Sequence, residues 1–480
     1  MSSAPPSTAL RWDKRLWITL LIACGVMFLD GLDVSMIGVA LPQISADLDL
    51  TTSQMQWIVS GYVLGYGGLL LLGGRVADLL GRRRVLMTGL TVFTLASLVG
   101  GLVSDPTIIV VTRFVKGMAA AFTAPAALSL VTTNFAEGHA RNKALSIYTA
   151  VAASGFSLGL VFGGLLTEIG WRWTFLLPVP FAAAVLASVV TVLRKDAPTA
   201  RPKGAFDLPG AVTVVAGMLL LVRGIVQAPE VGWADVQTIL SLSGAVALLA
   251  LFVAIESRTR QPILRLGILR NGALVRANLG AMATFGCYLG FQFVATMFFQ
   301  SVLGWSALET ALAFLPAGLI VAFGSPRVGL LIERFGTPRV VAAGFVAFAG
   351  AYALFLGIDG SPNYALEILP TMLLIGIGFA LAFPSLNIQG TAGVANEEQG
   401  LASGLVQTSF QVGGAVSLAV VTAVLNAEST LGVDAFLDAM RPALGVVAGL
   451  ALVGLFVALS AGLTRRQPAA AGELATQRAE

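Results

Sequence analysis

Gly74-Arg75-Val76-Ala77-Asp78-Leu79-Leu80-Gly81-Arg82-Arg83-Arg84-Val85 has a counterpart far along the same chain, Gly329-Leu330-Leu331-Ile332-Glu333-Arg334-Phe335-Gly336-Thr337-Pro338-Arg339-Val340. Both fit G-x-x-x-[DE]-x-x-G-x-x-R-V. Each lies at a short turn between two long apolar blocks. Self-similarity at so long a period is a mark of duplication. The competing explanation is a chance match at a turn that needs only Gly and Arg.

The blocks on either side set the class. Of 480 residues, 56% are hydrophobic and only 11% charged, which is far more apolar than a soluble enzyme. The apolar residues form runs of about 18 or more, each long enough to cross a bilayer as a helix. About fourteen runs are legible, the first near 16–41 and the last near 442–463. The first is too long for a signal-peptide core and has no small-residue cleavage pattern, so it reads as a retained helix.

Charge gives the orientation. Arg11, Lys14 and Arg15 precede the first run, and every second connection is basic: Arg82 to Arg84, Arg141 with Lys143, Arg194 with Lys195, Arg258 with Arg260, Arg334 with Arg339, and Arg465 with Arg466. The alternate loops carry Asp47, Asp49, Asp105, Glu168, Glu230, Asp235, Glu309 and Asp359, with Arg172 and Arg441 as exceptions. The connection holding Glu397 and Glu398 departs from the basic pattern. Basic loops face the cytoplasm, so both termini are expected there and the number of spans is even. The net charge of +4 then reflects topology, not a nucleic-acid partner. Cys24 and Cys287 fall within runs and offer no extracellular disulfide. Heavy use of Arg, Ala, Gly and Val points to a bacterium, and so to a cytoplasmic (inner) membrane.

The repeat pairs span two with span ten. Spans one to six therefore match nine to fourteen, and spans seven and eight are an insertion. The expected fold is an all-α polytopic membrane protein of fourteen transmembrane helices. It divides into an N-terminal six-helix bundle (1–195), two inserted helices with their loops (196–262), and a C-terminal six-helix bundle with a cytoplasmic tail (263–480). Two related halves around a midplane site are how many secondary transporters are built.

The segment Gly74 to Val85 resembles the loop signature between helices two and three of the major facilitator superfamily. Leu32 to Pro42 ("LDVSMIGVALP") is similar to the first-helix motif of its fourteen-helix drug:proton antiporter family. Arg113 to Ala120 ("RFVKGMAA") resembles the fourth-helix motif of that family, and Gly155 to Gly164 ("GFSLGLVFGG") its fifth-helix antiporter motif. Trp171 to Phe175 and Gly400 to Gly414 also resemble family segments. Three positions depart: Lys116 stands where Gln is usual, Leu160 follows Gly159 in place of Pro, and Pro178 replaces an Asn. The resemblance covers nearly the whole chain. It implies a major facilitator fold and efflux of hydrophobic or amphipathic compounds driven by the proton gradient, with no other cofactor and as a monomer. A proton-coupled importer of small organic solutes is the alternative on the same fold.

Asp30 and Asp33 are three apart on one helix face, deep in an apolar run where ionisable groups are costly and mark function. Arg113 and Lys116 repeat that spacing in span four. The four form a candidate ion cluster for proton coupling, with Asp33, the residue aligned with the motif, as the carrier. Desolvation opposes its charge and Arg113 favours it. Asp30 is the second candidate, or else a structural partner of Lys116 or water; a backbone contact is the plainer role for Arg113. By resemblance, Gly74, Asp78, Gly81 and Arg82, with Glu333, Arg334 and Gly336 in the second copy, form a conformational gate. Gly155, Gly159, Gly163 and Gly164 allow close helix contact. Candidate cavity residues are Tyr62, Tyr66, Arg223, Tyr288, Gln292, Gln300 and Gln411. Span nine is aromatic-rich, and aromatic rings with a few polar groups suit a planar ligand.

Catalysis is not expected. The single histidine, His139, lies in a basic loop, and neither a nucleophile–base pair nor a metal-ligand cluster is present. A phosphate-binding loop for an ATP-driven pump is also missing.

Overall fold

The computed structural model describes residues 12–136, 139–194, 207–259, 262, 266–394, 399–428 and 433–463. The first six long helices are α1 (Lys14–Leu48), α2 (Thr52–Leu80), α3 (Arg82–Leu102), α4 (Pro106–Asn134), α5 (His139–Ile169) and α6 (Trp173–Val192). Two more follow, α7 (Leu208–Val231) and α8 (Val236–Arg258). The rest are α9 (Gly272–Val302), α10 (Ala307–Phe335), α11 (Thr337–Leu356), α12 (Tyr364–Thr391), α13 (Gln399–Glu428) and α14 (Val433–Leu463). No strand occurs among the described residues. Among the described residues eleven helices are long and apolar enough to cross a membrane, and shorter apolar segments, Ser154–Ile169 and Pro209–Ile225, lie within α5 and α7. In hydrocarbon every backbone polar group needs an internal partner, which helices supply within one segment. The chain is a multi-pass membrane protein.

Helix starts follow their capping residues. Asp13, Asp105 and Asp235 accept from the first-turn amides of α1, α4 and α8, and Asn271 does so for α9. Thr51 with Gln54 and Ser306 with Glu309 form capping boxes on α2 and α10. Some acids that mark the non-basic loops therefore also serve as caps. Pro178 begins the second segment of α6, where a missing N–H costs least.

The repeat is conformational as well as textual. Gly81 joins α2 to α3 at φ 93 and ψ 141, and Gly336 joins α10 to α11 at φ 81 and ψ 148. Each amide donates to the carbonyl four residues back, Ala77 at 3.2 Å and Ile332 at 2.8 Å. Positive φ with extended ψ is open to glycine and strained for other residues. Both turns need Gly for the same reason.

α1 packs along α5, α2 along α4, and α3 against α4 and α6. On the other side α9 lies against α13 and α14, and α11 against α12 and α14. Two broad contacts close the seam between these groups, α2 on α13 and α5 on α10. α7 leans on both α2 and α13, while α8 lies outside it. One member of the inserted pair is thus seated at the seam.

Candidate functional site

α1 and α4 cross so that Asp33, Arg113 and Lys116 meet with at most 1% exposure each. One Asp33 oxygen accepts from Arg113 Nη1 and the other from Lys116 Nζ. Arg113 Nε donates to the Ile58 carbonyl at 3.1 Å, so the guanidinium bridges α1, α2 and α4. Both cations also lie over rings: Arg113 is 4.7 Å from the Tyr62 centroid, and Lys116 is 4.8 Å from Phe93 and 5.4 Å from Phe175. The three-residue spacing on α4 delivers two cations to one carboxylate. A buried pair is costly to break because the remaining charge is stranded.

Asp30 lies one turn back and is treated differently. It is 7% exposed, and its Oδ2 is buried with no hydrogen-bond partner. Asp33 and Lys116 lie in electrostatic range, and so do the phenols of Tyr62 and Tyr66 on α2 and Tyr148 on α5. Lys116 pairs with Asp33, not with Asp30.

The glycines of α5 hold this helix pair together. A Cβ at Gly155, Gly159 or Gly163 would lie 2.9, 2.8 and 2.8 Å from the Cα atoms of Phe28, Leu32 and Met36 on α1. Gly164 faces the other way, and a Cβ there would lie 2.8 Å from Leu308 Cα on α10. Close contact of this kind requires small residues. Leu160, in the position of the absent Pro, is buried in the core. The motif therefore ties the ion-bearing α1 to α5, and α5 to the second group.

The Major Facilitator Superfamily model matches residues 23–418. The chain belongs to the Major Facilitator Superfamily. It is 36% identical over 433 residues to the puromycin resistance protein pur8 of Streptomyces alboniger, covering 88% of this chain and 84% of that one. To the cephamycin export protein CmcT of Amycolatopsis lactamdurans it is 38% identical, with 84% of each chain covered. Among solved structures it is similar to the nucleoside transporter NupG, with a TM-score of 0.64 at 14% identity over 93% of this chain and 99% of that one. That likeness shows the fold alone.

In this major facilitator protein the predicted gate residues are spread over each turn. Arg82 donates to Thr133 at 2.6 Å and Arg83 to the Val190 carbonyl at 3.0 Å, both within α1–α6. Glu333 and Arg334 are exposed, with Arg334 5.3 Å from the Phe335 centroid. The Asp78 side chain lies outside the described residues. Close helix contact here falls at Gly73, whose Cβ would strike the Ala121 carbonyl; at the gate residue Gly74 the nearest atom is Pro125 Cβ at 3.7 Å.

The predicted cavity set divides in three. Tyr62 and Tyr66 stand at the ion cluster, ring centroids 6.1 Å apart. Gln292, Gln300 and Gln411 are at the seam: Gln300 donates to the Val39 carbonyl at 2.9 Å, Gln292 faces Gly38, and Gln411 faces Gly67. Tyr288 is there too, 5.7 Å from Phe156 on α5 and 4.9 Å from Phe379 on α12. Arg223 stands apart, exposed on α7, bonded to Gln227 at 3.0 Å in a groove with Trp57 and Thr107.

Sequence reasoning missed the company Tyr288 keeps. Phe285, Phe379, Phe383 and Phe410 form a run of rings with centroids 4.8–6.2 Å apart. The one local signal is Phe379 and Phe383, four apart on one face of α12. Phe291, Phe298 and Phe299 instead pack inward around Phe355. Glu256, near the end of α8, is a further buried carboxyl at 3% exposure.

Proposed function

We propose that the chain exports hydrophobic or amphipathic organic compounds (drugs, antibiotics or secondary metabolites) in exchange for protons, across a bacterial cytoplasmic membrane. The observation that carries the reading is the buried ion cluster on α1 and α4, in the same helix group whose Phe156 meets the rings around Tyr288 across the seam. Intramembrane ionisable groups mark proton and substrate paths, and aromatic walls suit apolar ligands. Two relatives named for antibiotic resistance and export support the direction.

The alternating-access reading takes residues 1–195 and 263–480 as two rocking six-helix bundles and 196–262 as an insertion. α2, α5 and α7, at 29, 31 and 24 residues, have the length to span beside the eleven apolar helices. On this reading the chain has fourteen spans, with both termini on the basic, cytoplasmic side. The contacts between groups support a state closed toward the other side. They run from Gly67–Gln411 and Phe156–Tyr288 near midplane to Gly164–Leu308 and Leu308 N–Glu168 at 3.4 Å near the ends away from the basic loops. The working unit is a monomer.

The test is purified protein in liposomes loaded with a panel of dyes and antibiotics. An imposed pH gradient is expected to drive at least one compound against its concentration, with protons moving the opposite way. Movement of substrate and protons in the same direction would make the protein an importer.

A further inference from the structure

We propose that Asp30, not the motif aspartate Asp33, is the carboxyl that takes up and releases the transported proton, and that Asp33 is the fixed counter-ion of Arg113 and Lys116. This rests on the proton-exchange reading above and assigns its chemistry to one side chain.

The two acids share a helix face and differ in everything else. Asp33 has no exposure, and both of its oxygens are occupied by cations. A proton arriving there would have to displace one of them and would leave two buried cations around a neutral acid, an arrangement heavily disfavoured away from water. Asp30 has a free buried oxygen and keeps 7% exposure, the most of the four clustered groups. Charged, it is an unpaired carboxylate in an apolar setting; neutral, it needs only a hydrogen-bond acceptor.

The facing titratable groups fit exchange at Asp30. Asp33 lies on the same helix, Arg113 and Lys116 on α4, Tyr62 and Tyr66 on α2, and Tyr148 on α5. With both acids ionised, two negative and two positive charges cancel. A proton on Asp30 leaves a net charge of one positive without disturbing the Asp33 contacts. The step balances simply: one O–H bond forms at Asp30 as a proton arrives from water, and breaks as it returns to water.

The outcome reaches the second group through α1. The Val39 carbonyl accepts from Gln300, and Gly38 abuts Gln292, on α9. A tilt of α1 that relieves or exposes Asp30 moves this contact as well.

Two measurements decide it. Dicyclohexylcarbodiimide adds to protonated carboxyls in apolar surroundings, and peptide mass analysis locates the adduct. In the wild-type protein in liposomes, Asp30 should be labelled and Asp33 not, with labelling falling as pH rises. Labelling at Asp33, or none at Asp30 across the pH range, overturns the proposal. In gradient-driven transport of ethidium, Asp30→Asn should lose about ten-fold or more. Residual exchange should become independent of pH, and Asp30→Glu should restore both. A full gradient response in Asp30→Asn overturns the proposal and leaves antiport standing. A wild type indifferent to the gradient sinks the antiport reading instead, and the labelling still reports which carboxyl holds a proton.

Discussion

In α1 and α4 four charged side chains are buried, whereas among the described residues of α9–α14 no Asp, Glu, Lys or Arg is buried, and the buried polar groups are those of Gln, Ser and Thr with the phenols of Tyr288 and Tyr352. The two groups share a turn that folds alike at Gly81 and Gly336, yet where one holds charges the other holds Phe285, Phe379, Phe383 and Phe410. The joints are alike while the interiors differ. Burying charge is costly, and holding the cluster in α1 and α4 spares α9–α14 that cost. The other wall is then free to be apolar and adaptable, as a ligand surface requires. The exchange proposed above assigns proton handling to one side and substrate contact to the other, and the two sides meet at the seam, where the Phe156 and Tyr288 ring centroids are 5.7 Å apart.

The largest test of this division is to remove the shared anion. Asp33→Asn strands Arg113 and Lys116, and should lower stability by about 3–5 kcal/mol, the scale of a broken buried pair. Thermal unfolding in detergent, read by tryptophan fluorescence, measures it. Adding Arg113→Met and Lys116→Met should recover most of the loss, because no stranded cation remains. If the single substitution is silent, the cluster is not the structural anchor described.

Next in size is the glycine row. Gly159→Ala places a methyl against the Leu32 backbone, and should cost about 1–3 kcal/mol of overpacking together with most transport. Gly449→Ala in α14, with nothing within 4 Å of the added Cβ, should leave both nearly unchanged. Equal effects would mean that α1 and α5 have no special need for contact. Smaller still is Phe410→Ala. It should raise the apparent KM for large aromatic compounds by about three- to ten-fold, without altering the pH dependence of transport. A shift in that pH dependence would contradict the division of roles.

Much of this was legible in the sequence, and the exceptions have a common cause. Periodicity and length reveal helices, and the duplicated turn gives their pairing, because both signals are local or textual. The spacing of Arg113 and Lys116 placed them on one face of α4, and spacing is a helical property. The sequence reading sets Arg113 beside Asp33, where it lies; that Lys116 meets Asp33 too, and not Asp30, was not legible, since it depends on how α1 rotates against α4. That rotation is set by Gly155, Gly159 and Gly163 on a third helix. Tyr148 reaches the Asp30 neighbourhood for the same reason. The ring cluster joins α9, α12 and α13, segments far apart in sequence. Gln292, Gln300 and Gln411 read as cavity residues because polar groups in apolar runs need partners. They lie at the seam, where Gln300 finds its partner in a backbone carbonyl of the opposing group.

The smallest effect is expected at the ion pairs outside the core. Arg172 and Arg441 broke the alternation of basic and acidic loops, and each is matched by a local acid: Arg172 bonds Asp47 at 3.1 Å, and Arg441 bonds Asp438 at 3.4 Å. Arg172 also donates to Ser104 at 2.8 Å and lies 4.4 Å from the Trp171 ring centroid. Its geometry is richer than that of the Arg441 pair, but its side chain is 38% exposed and its partner's 51%. Water and salt screen such pairs strongly. Arg172→Gln leaves Asp47 its bond from Trp171 Nε1 at 2.9 Å, so transport should stay within about two-fold of wild type. Arg441→Gln, in the other group, should do even less. A loss at Arg172 on the scale of Asp33→Asn would place a second essential ion pair in the first group, and the contrast between buried and exposed charge would have to be redrawn around the α5–α6 connection.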